Sequence, residues 1–219
     1  MNYYKKVTLS FILVFFSLSI FSAHAQGIRY PKNDTIRMVI KNEIVRFFSA
    51  SFWSGVEIPV TNRKSVYISG IATYGSPSGR YDQITGWGAE FQYRNYLGKG
   101  SFITDRPIYF AYQLMGRRIF EFEENTTPIY TTDQYGYQKI TGENYSETKK
   151  GYTVFYGGML IGMQLFINEI FTVDLNFGGG LRLTRMDGSK QFTRYKGITE
   201  LDYSGVLPRA GFIIGIIHR

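Results

Sequence analysis

The chain contains no cysteine and only two histidines among its 219 residues. The absence of cysteine excludes a disulfide scaffold, a thiolate-ligated zinc or iron–sulfur site, thiol catalysis and a lipid anchor on an N-terminal cysteine. Two histidines leave little room for a histidine metal site or a histidine base. These shortages weigh against most enzyme classes, and we predict no catalytic residue, no metal site and no cofactor.

Long hydrophobic runs are also scarce, and the only one that approaches membrane-helix length lies at the N-terminus. Two lysines precede the apolar stretch 7–21, and a small-x-small pattern ends at Ala25. This order is typical of a secretory signal peptide. We therefore expect residues 1–25 to be cleaved from a mature domain that comprises residues 26–219. A retained anchor helix is the alternative, although the run is shorter than the roughly 20 residues that span a bilayer comfortably.

Glycine and aromatic residues, in contrast, are abundant, with 24 glycines and 17% aromatics. After the leader, apolar and polar side chains alternate with a period of two, most clearly in the segments 84–97 and 171–184. Such alternation is typical of β-strands that present two different faces. Six less regular segments bring the number of predicted strands to eight: 36–48, 52–60, 65–75, 107–123, 151–167 and 205–218.

The predicted connections are short at one end of the strands and long at the other. Turns of a few residues occur at 61–64 and 168–170, with a moderate link at 98–106, whereas the links 76–83, 124–150 and 185–204 are longer. The link between the first two strands, near 49–51, is short. The last link contains an Asp-Gly hairpin signal, so we expect a protruding two-stranded extension there. This asymmetry is typical of outer-membrane barrels, and an even strand count brings the last strand beside the first. We predict an all-β fold, an eight-stranded antiparallel up-and-down transmembrane β-barrel.

The alternation also divides the side chains between an outer and an inner face. We expect the apolar face to meet lipid, and this set contains Trp87, Phe91, Phe110, Leu114, Ile161, Phe171, Leu175, Phe177, Phe212 and Ile214. The other face combines glycines with charges, and we predict a lumen charge network of Glu57, Glu90, Arg94, Arg117, Glu121, Asp174, Arg182 and Arg209. Four acids and four bases can pair within the narrow interior of an eight-stranded barrel, leaving no substantial open pore. A soluble barrel that turns its apolar face inward shares the same alternation and stays open as an alternative.

Several segments, taken together, resemble a family of small outer-membrane β-barrels of unknown function from Gram-negative bacteria. They are GVEIPV, EFQYRNYL followed by PIYFAYQLMG, GGMLIGMQLFINEIFTVDLNFGGGLRL and the terminal LPRAGFIIGII, which cover most of residues 36–217. The resemblance implies an eight-stranded barrel in the outer membrane, with no catalytic residues to carry over. It also implies insertion by the barrel-assembly machinery. Such barrels usually end in an aromatic residue that this machinery reads, whereas the present chain ends in Ile217-His218-Arg219.

The chain is basic, with a formal net charge of +8. Lysine and arginine cluster in predicted turns and links, at 63–64, 149–150 and 190–196. On an outer-membrane protein they can pair with lipopolysaccharide phosphates, or they can be ordinary solvated charges. The export signal argues against nucleic acid as a partner. The tyrosine-rich link 124–150 can bind an extracellular partner, or it can continue the strands beyond the membrane.

These observations favour a non-enzymatic outer-membrane protein that has an envelope-structural or surface-interaction role and a lumen filled by side chains. One alternative is a small transport or ligand-binding barrel with a partly open lumen. The other is a secreted, lipocalin-like soluble barrel.

Overall fold

The computed structural model describes most of the chain that follows the predicted leader. The described residues are 36–46, 50–75, 83–98, 107–132, 135, 137–167, 170–193 and 201–219. The predicted signal peptide and its cleavage position lie outside them.

Eight antiparallel strands form one closed sheet. In chain order the strands are β1 (Met38–Glu43), β2 (Ser51–Thr61), β3 (Lys64–Gly75), β4 (Gln83–Leu97), β5 (Ile108–Thr132), β6 (Gln138–Ile167), β7 (Phe171–Met186) and β8 (Gly205–His218). Each strand pairs with its neighbours in sequence, and β8 returns to pair with β1. The prediction of an all-β, antiparallel sheet that closes with eight strands is therefore confirmed. The described residues form no helix long and apolar enough to cross a membrane.

The two ends of the closed sheet differ in their connections. The first strand begins and the last strand ends at the same level, because Met38 pairs with His218. The tight turn after Thr61, the link after Ile167 and a longer link between Leu97 and Ile108 lie at this end, which we name the short-link end. The opposite, long-link end carries the connections from β1 to β2, β3 to β4, β5 to β6 and β7 to β8.

Two strands continue well beyond their neighbours at the long-link end. The last β5 residue that pairs with β4 is Phe122, and the first β6 residue that pairs with β7 is Tyr152. Beyond them β5 and β6 still pair with each other as far as Thr132 and Gln138. The described part of the predicted link 124–150 is therefore mainly a two-stranded antiparallel structure, which we name the hairpin extension.

The predicted extension at 185–204 is wrong in the described residues. A turn does occur at Gly188, whose φ of 78° favours glycine. However, the chain then folds back, because the Thr193 amide donates to the carbonyl oxygen of Thr184 over 2.9 Å. Leu201 packs against buried apolar residues inside the long-link end. The described residues 201–203 thus lie over part of the opening, where Leu201 and Tyr203 accept from Arg182 and Thr184.

Many charged side chains and several large aromatic ones lie inside the closed sheet, whereas the side chains on its outer face are mostly apolar. In β4, Glu90 and Arg94 are buried, whereas Trp87 is 67% exposed and Phe91 is 42% exposed. Charged residues are almost never fully buried unless they are paired, so Glu90 and Arg94 are expected to have partners of opposite charge.

Glycines make room for large side chains inside the narrow sheet. The clearest case is Gly162, which pairs with Tyr109. A β-carbon at this position would overlap the Tyr109 ring. The ring thus lies flat against the neighbouring strand, in space that another residue would occupy.

Candidate functional site

Four charged side chains meet in the middle of the closed sheet, and we name them the central network. They are Lys41, Glu57, Arg94 and Asp174, which come from β1, β2, β4 and β7. The Asp174 carboxylate lies 2.9 Å from the Lys41 ammonium and 2.6 Å from the Arg94 guanidinium. Glu57 also pairs with both cations, and its distance to the Arg94 guanidinium is 3.3 Å. Two positive and two negative charges therefore balance one another.

Neutral polar groups add hydrogen bonds to the charges of the central network. Tyr109 donates its hydroxyl to Asp174 over 2.7 Å, and Tyr96 donates to Glu57. Ser65 also donates to Glu57, while the Gln164 side-chain oxygen accepts from the Lys41 ammonium over 2.8 Å. Buried charges are tolerated when such partners satisfy them.

The Arg94 guanidinium also lies near two aromatic faces. Its central carbon is 4.5 Å from the ring centre of Tyr109 and 4.9 Å from that of Tyr67. All four charged side chains are essentially inaccessible to solvent. The interior is thus filled by side chains at this level.

A second charged cluster lies toward the long-link end. Arg209 bridges Glu90 over 2.9 Å and Glu43 over 3.1 Å, and Arg46 pairs with Glu43 over 3.2 Å. Gln92 connects this cluster to the central network, because it donates to Glu90 and accepts from Arg94.

Beyond the second cluster the interior contains a cavity of about 460 Å³, which we name the arginine cavity. One part of its wall is polar and the other is apolar. The residues that line it are Arg46, Ser51, Trp53, Thr73, Ile84, Met115, Arg117, Ile119, Val154, Tyr156, Arg182, Leu201, Leu207, Pro208 and Arg209.

The residues predicted as one lumen charge network occupy four different environments. Three belong to the central network and two to the second cluster, namely Glu57, Arg94 and Asp174, and Glu90 and Arg209. Arg117 and Arg182 line the arginine cavity instead. Glu121 lies apart, partly buried near the long-link end, where it accepts from the Tyr152 hydroxyl over 2.8 Å.

Sequence reasoning missed Lys41 and Glu43, which both lie on β1. The alternation of this strand is short and irregular, so its faces were not assigned. A local signal was nevertheless present, because the two charges are separated by one residue and Lys41 follows the outward Ile40. The buried aromatic residues were also missed. Trp53 is four positions from Glu57, and Tyr96 is two positions from Arg94, so each lies on the same face of its strand as that charged residue.

The residues predicted to face lipid all lie on the outer side of the sheet. Seven are exposed: Trp87, Phe91, Leu114, Ile161, Phe171, Leu175 and Phe177. The remaining three, Phe110, Phe212 and Ile214, are half-buried among their neighbours. Phe110 packs edge-on against Tyr112, with 5.0 Å between the ring centres.

The described residues contain no group of three or more histidine, cysteine, aspartate or glutamate side chains that could hold a metal ion. Comparison of the chain with protein-family models, curated proteins and solved structures found no significant match in any of the three. Functional inference therefore rests on the geometry of the chain itself.

Proposed function

We propose that this chain is a non-enzymatic, integral outer-membrane β-barrel, with a lumen filled by side chains and a role in envelope structure or surface interaction. The observation that carries the proposal is the continuous apolar outer face of the closed sheet. Soluble monomers rarely expose an apolar patch larger than a few hundred Å². Here all eight strands contribute apolar side chains to the exposed side.

The height of this apolar face supports a membrane location. The outward positions of β7 carry no charge from Phe171 to Leu183. Twelve steps of about 3.3 Å, on a strand tilted by about 40°, correspond to about 30 Å along the axis. The apolar band of a membrane barrel is about 25 Å tall. Arg185 follows the uncharged stretch at the long-link end, and Lys64 and His218 stand at the short-link end.

The charged interior supports the same proposal over the lipocalin-like alternative. A soluble barrel that binds an apolar ligand needs an apolar interior, whereas Lys41, Arg94 and Asp174 occupy the centre of this one. An eight-stranded barrel is only just wide enough to hold its own side chains. We therefore expect no steady conductance through the central network.

The connections give the proposed barrel an orientation. Outer-membrane barrels have short periplasmic turns and longer extracellular loops, so the hairpin extension would project from the cell. It exposes aromatic rings that suit contact with a partner: Tyr130, Tyr135, Tyr137 and Tyr145. The resemblance to outer-membrane barrels adds insertion by the barrel-assembly machinery to this proposal.

Cations at the long-link edge of the apolar face fit lipopolysaccharide phosphates. The Lys149 ammonium lies 4.4 Å from the ring centre of Phe120 and 5.3 Å from that of Phe122. The Arg118 guanidinium lies 5.1 Å from the Phe120 ring. Aromatic residues and cations combine in this way at the interface of a bilayer.

The two tryptophans allow a direct test. Trp53 is buried inside the sheet and Trp87 is exposed on its outer face. The Trp53→Phe and Trp87→Phe variants each retain one tryptophan. Both variants would be folded into vesicles of lipids that are brominated on their acyl chains. In Trp53→Phe the remaining Trp87 faces the lipid, and we expect the bromine to quench its fluorescence strongly. In Trp87→Phe the remaining Trp53 lies inside the sheet, and we expect little quenching of its fluorescence. Heat-modifiable gel migration would verify that both variants are folded. Equal quenching, or recovery of the protein from cells in buffer without detergent, would contradict the membrane proposal.

A separate measurement addresses the filled lumen. Single-channel recording in planar bilayers should show no steady openings for the folded protein. Large, stable openings would favour the alternative of a small transport barrel instead.

A further inference from the structure

Three buried hydrogen-bond donors around the arginine cavity have no partner among the described residues. They are the indole nitrogen of Trp53 and the Nε atoms of Arg117 and Arg209. All three residues line the cavity. Each of these atoms can only donate, so the missing partner must be an acceptor. A buried donor without a partner is costly, and the same cavity contains three of them.

The charges around the cavity also indicate that the missing partner is an acceptor. Its described wall contains four arginines and no carboxylate. Of the neighbouring acids, Glu43 and Glu90 are engaged by Arg46 and Arg209, and the buried Asp202 interacts electrostatically with Arg182. Among the described residues, the hydrogen bonds of the Arg117 side chain go only to hydroxyl groups, with Thr73 at 2.6 Å and Ser51 at 3.4 Å. Its guanidinium therefore forms no ion pair with a carboxylate among the described residues.

Trp53 organises the arginines on this side of the cavity. The guanidinium carbons of Arg46, Arg209 and Arg117 lie 4.8, 4.9 and 5.7 Å from its ring centre. Guanidinium groups held on an aromatic face are oriented before any ligand arrives, which lowers the cost of binding.

The remaining wall of the cavity is apolar. Ile84, Ile119 and Val154 form a buried cluster there with Tyr152, and Leu201 packs against this cluster. A volume of about 460 Å³ lies within the range of small-molecule sites. We infer that the arginine cavity binds an amphipathic anion, whose carboxylate or phosphate contacts the arginines and whose apolar part lies against this cluster. Binding would not require that the barrel spans a membrane, so this inference goes beyond the proposed function.

The Trp87→Phe variant provides the assay, because Trp53 is then its only tryptophan. The variant would be folded in detergent and titrated with 8-bromooctanoate, whose bromine quenches a nearby indole. We expect saturable quenching of Trp53 at a concentration about tenfold lower than for the neutral 8-bromooctanol, since only the acid pairs with arginine. 8-Bromooctyl phosphate should also saturate, and its affinity relative to the carboxylate identifies the preferred headgroup.

Two substitutions in the same background form a matched pair. Arg117→Met removes the guanidinium that has no carboxylate partner, and we expect about tenfold weaker binding of 8-bromooctanoate. Arg118→Met removes the adjacent guanidinium, which contacts Thr153 and Asp187 outside the cavity, and binding should not change. Non-saturable quenching, equal effects of the acid and the alcohol, or equal affinities of the two variants would each overturn the inference. The comparison of 8-bromooctanoate with 8-bromooctanol needs neither substitution. It therefore tests the inference even if Arg117→Met does not fold.

Discussion

The central network and the arginine cavity occupy neighbouring levels of one interior. Positive and negative charges balance in the central network, whereas the described wall of the cavity contains arginines and no carboxylate. In the central network, Asp174 and Glu57 each contact both cations. Around the cavity, the guanidinium of Arg117 forms hydrogen bonds with hydroxyl groups and none with a carboxylate among the described residues. The charges of the central network are fully buried, whereas the side chains of Arg117 and Arg182 are only partly buried, so contact with water compensates part of the charge at the cavity.

This difference separates charges that hold the sheet together from charges that are available to a ligand. Removing one member of a balanced, buried set leaves the remaining charges uncompensated, which is strongly destabilising. An excess of arginine, by contrast, already costs stability before any substitution is made. The two levels should therefore respond in opposite directions to the removal of a charge.

The largest expected effect is at the central network. Asp174→Asn leaves Lys41 and Arg94 to share the single carboxylate of Glu57, and we expect a loss of about 3–5 kcal/mol in the free energy of unfolding. Urea unfolding of the protein folded in lipid vesicles measures this loss. The double variant Asp174→Asn with Lys41→Met restores the charge balance and should recover part of the stability. A loss below about 1 kcal/mol for the single variant would refute the structural role of the network.

The second prediction compares the interior with the outer face. Phe177→Arg places a charge at the middle of the proposed lipid face and should cost about 2–4 kcal/mol in vesicles. Leu183→Arg places the same charge next to the existing Arg185, near the edge of the apolar face, and should cost about 1 kcal/mol or less. The same urea titration applies to both variants. Equal losses of stability in Phe177→Arg and Leu183→Arg would argue against contact between this face and lipid.

The third prediction concerns glycines on the two faces of β6. Gly162→Ala places a methyl group where the Tyr109 ring lies, and we expect a loss of about 1–3 kcal/mol from overpacking. Gly157→Ala on the outer face is the matched control, since its nearest neighbour would be a Leu114 methyl group at 3.5 Å. We expect little change there. Comparable losses at both positions would show that strand propensity, and not the ring, governs the effect.

The smallest expected change is at the cavity. Without a ligand, Arg117→Met should leave the free energy of unfolding within about 1 kcal/mol of the parent protein, or raise it, because it removes a charge that has no carboxylate partner. Urea unfolding of Arg117→Met and Asp174→Asn under the same conditions compares the free energies of unfolding of the two variants. If both variants lost similar stability, the contrast between the two levels would disappear.

Much of the fold could be predicted because alternation is a local property of a strand. In β4 the sequence from Glu90 to Arg94 already separates polar from aromatic side chains, and in β7 Asp174 lies between Val173 and Leu175. Strand β1 was harder, because six residues allow few repeats of the pattern. Its buried Lys41 was therefore overlooked, although it belongs to the central network.

The sequence by itself determined the eight strands, their closure and the inward or outward parity of the clearest ones, because these depend on a two-residue period and on the number of strands. Only the tertiary structure decided which charges meet. Lys41 and Asp174 are 133 positions apart and come together across the interior, at a level set by the tilt and stagger of the strands. The same stagger brings Trp53 and Arg117 to one cavity without a carboxylate in its described wall, which no local pattern could reveal.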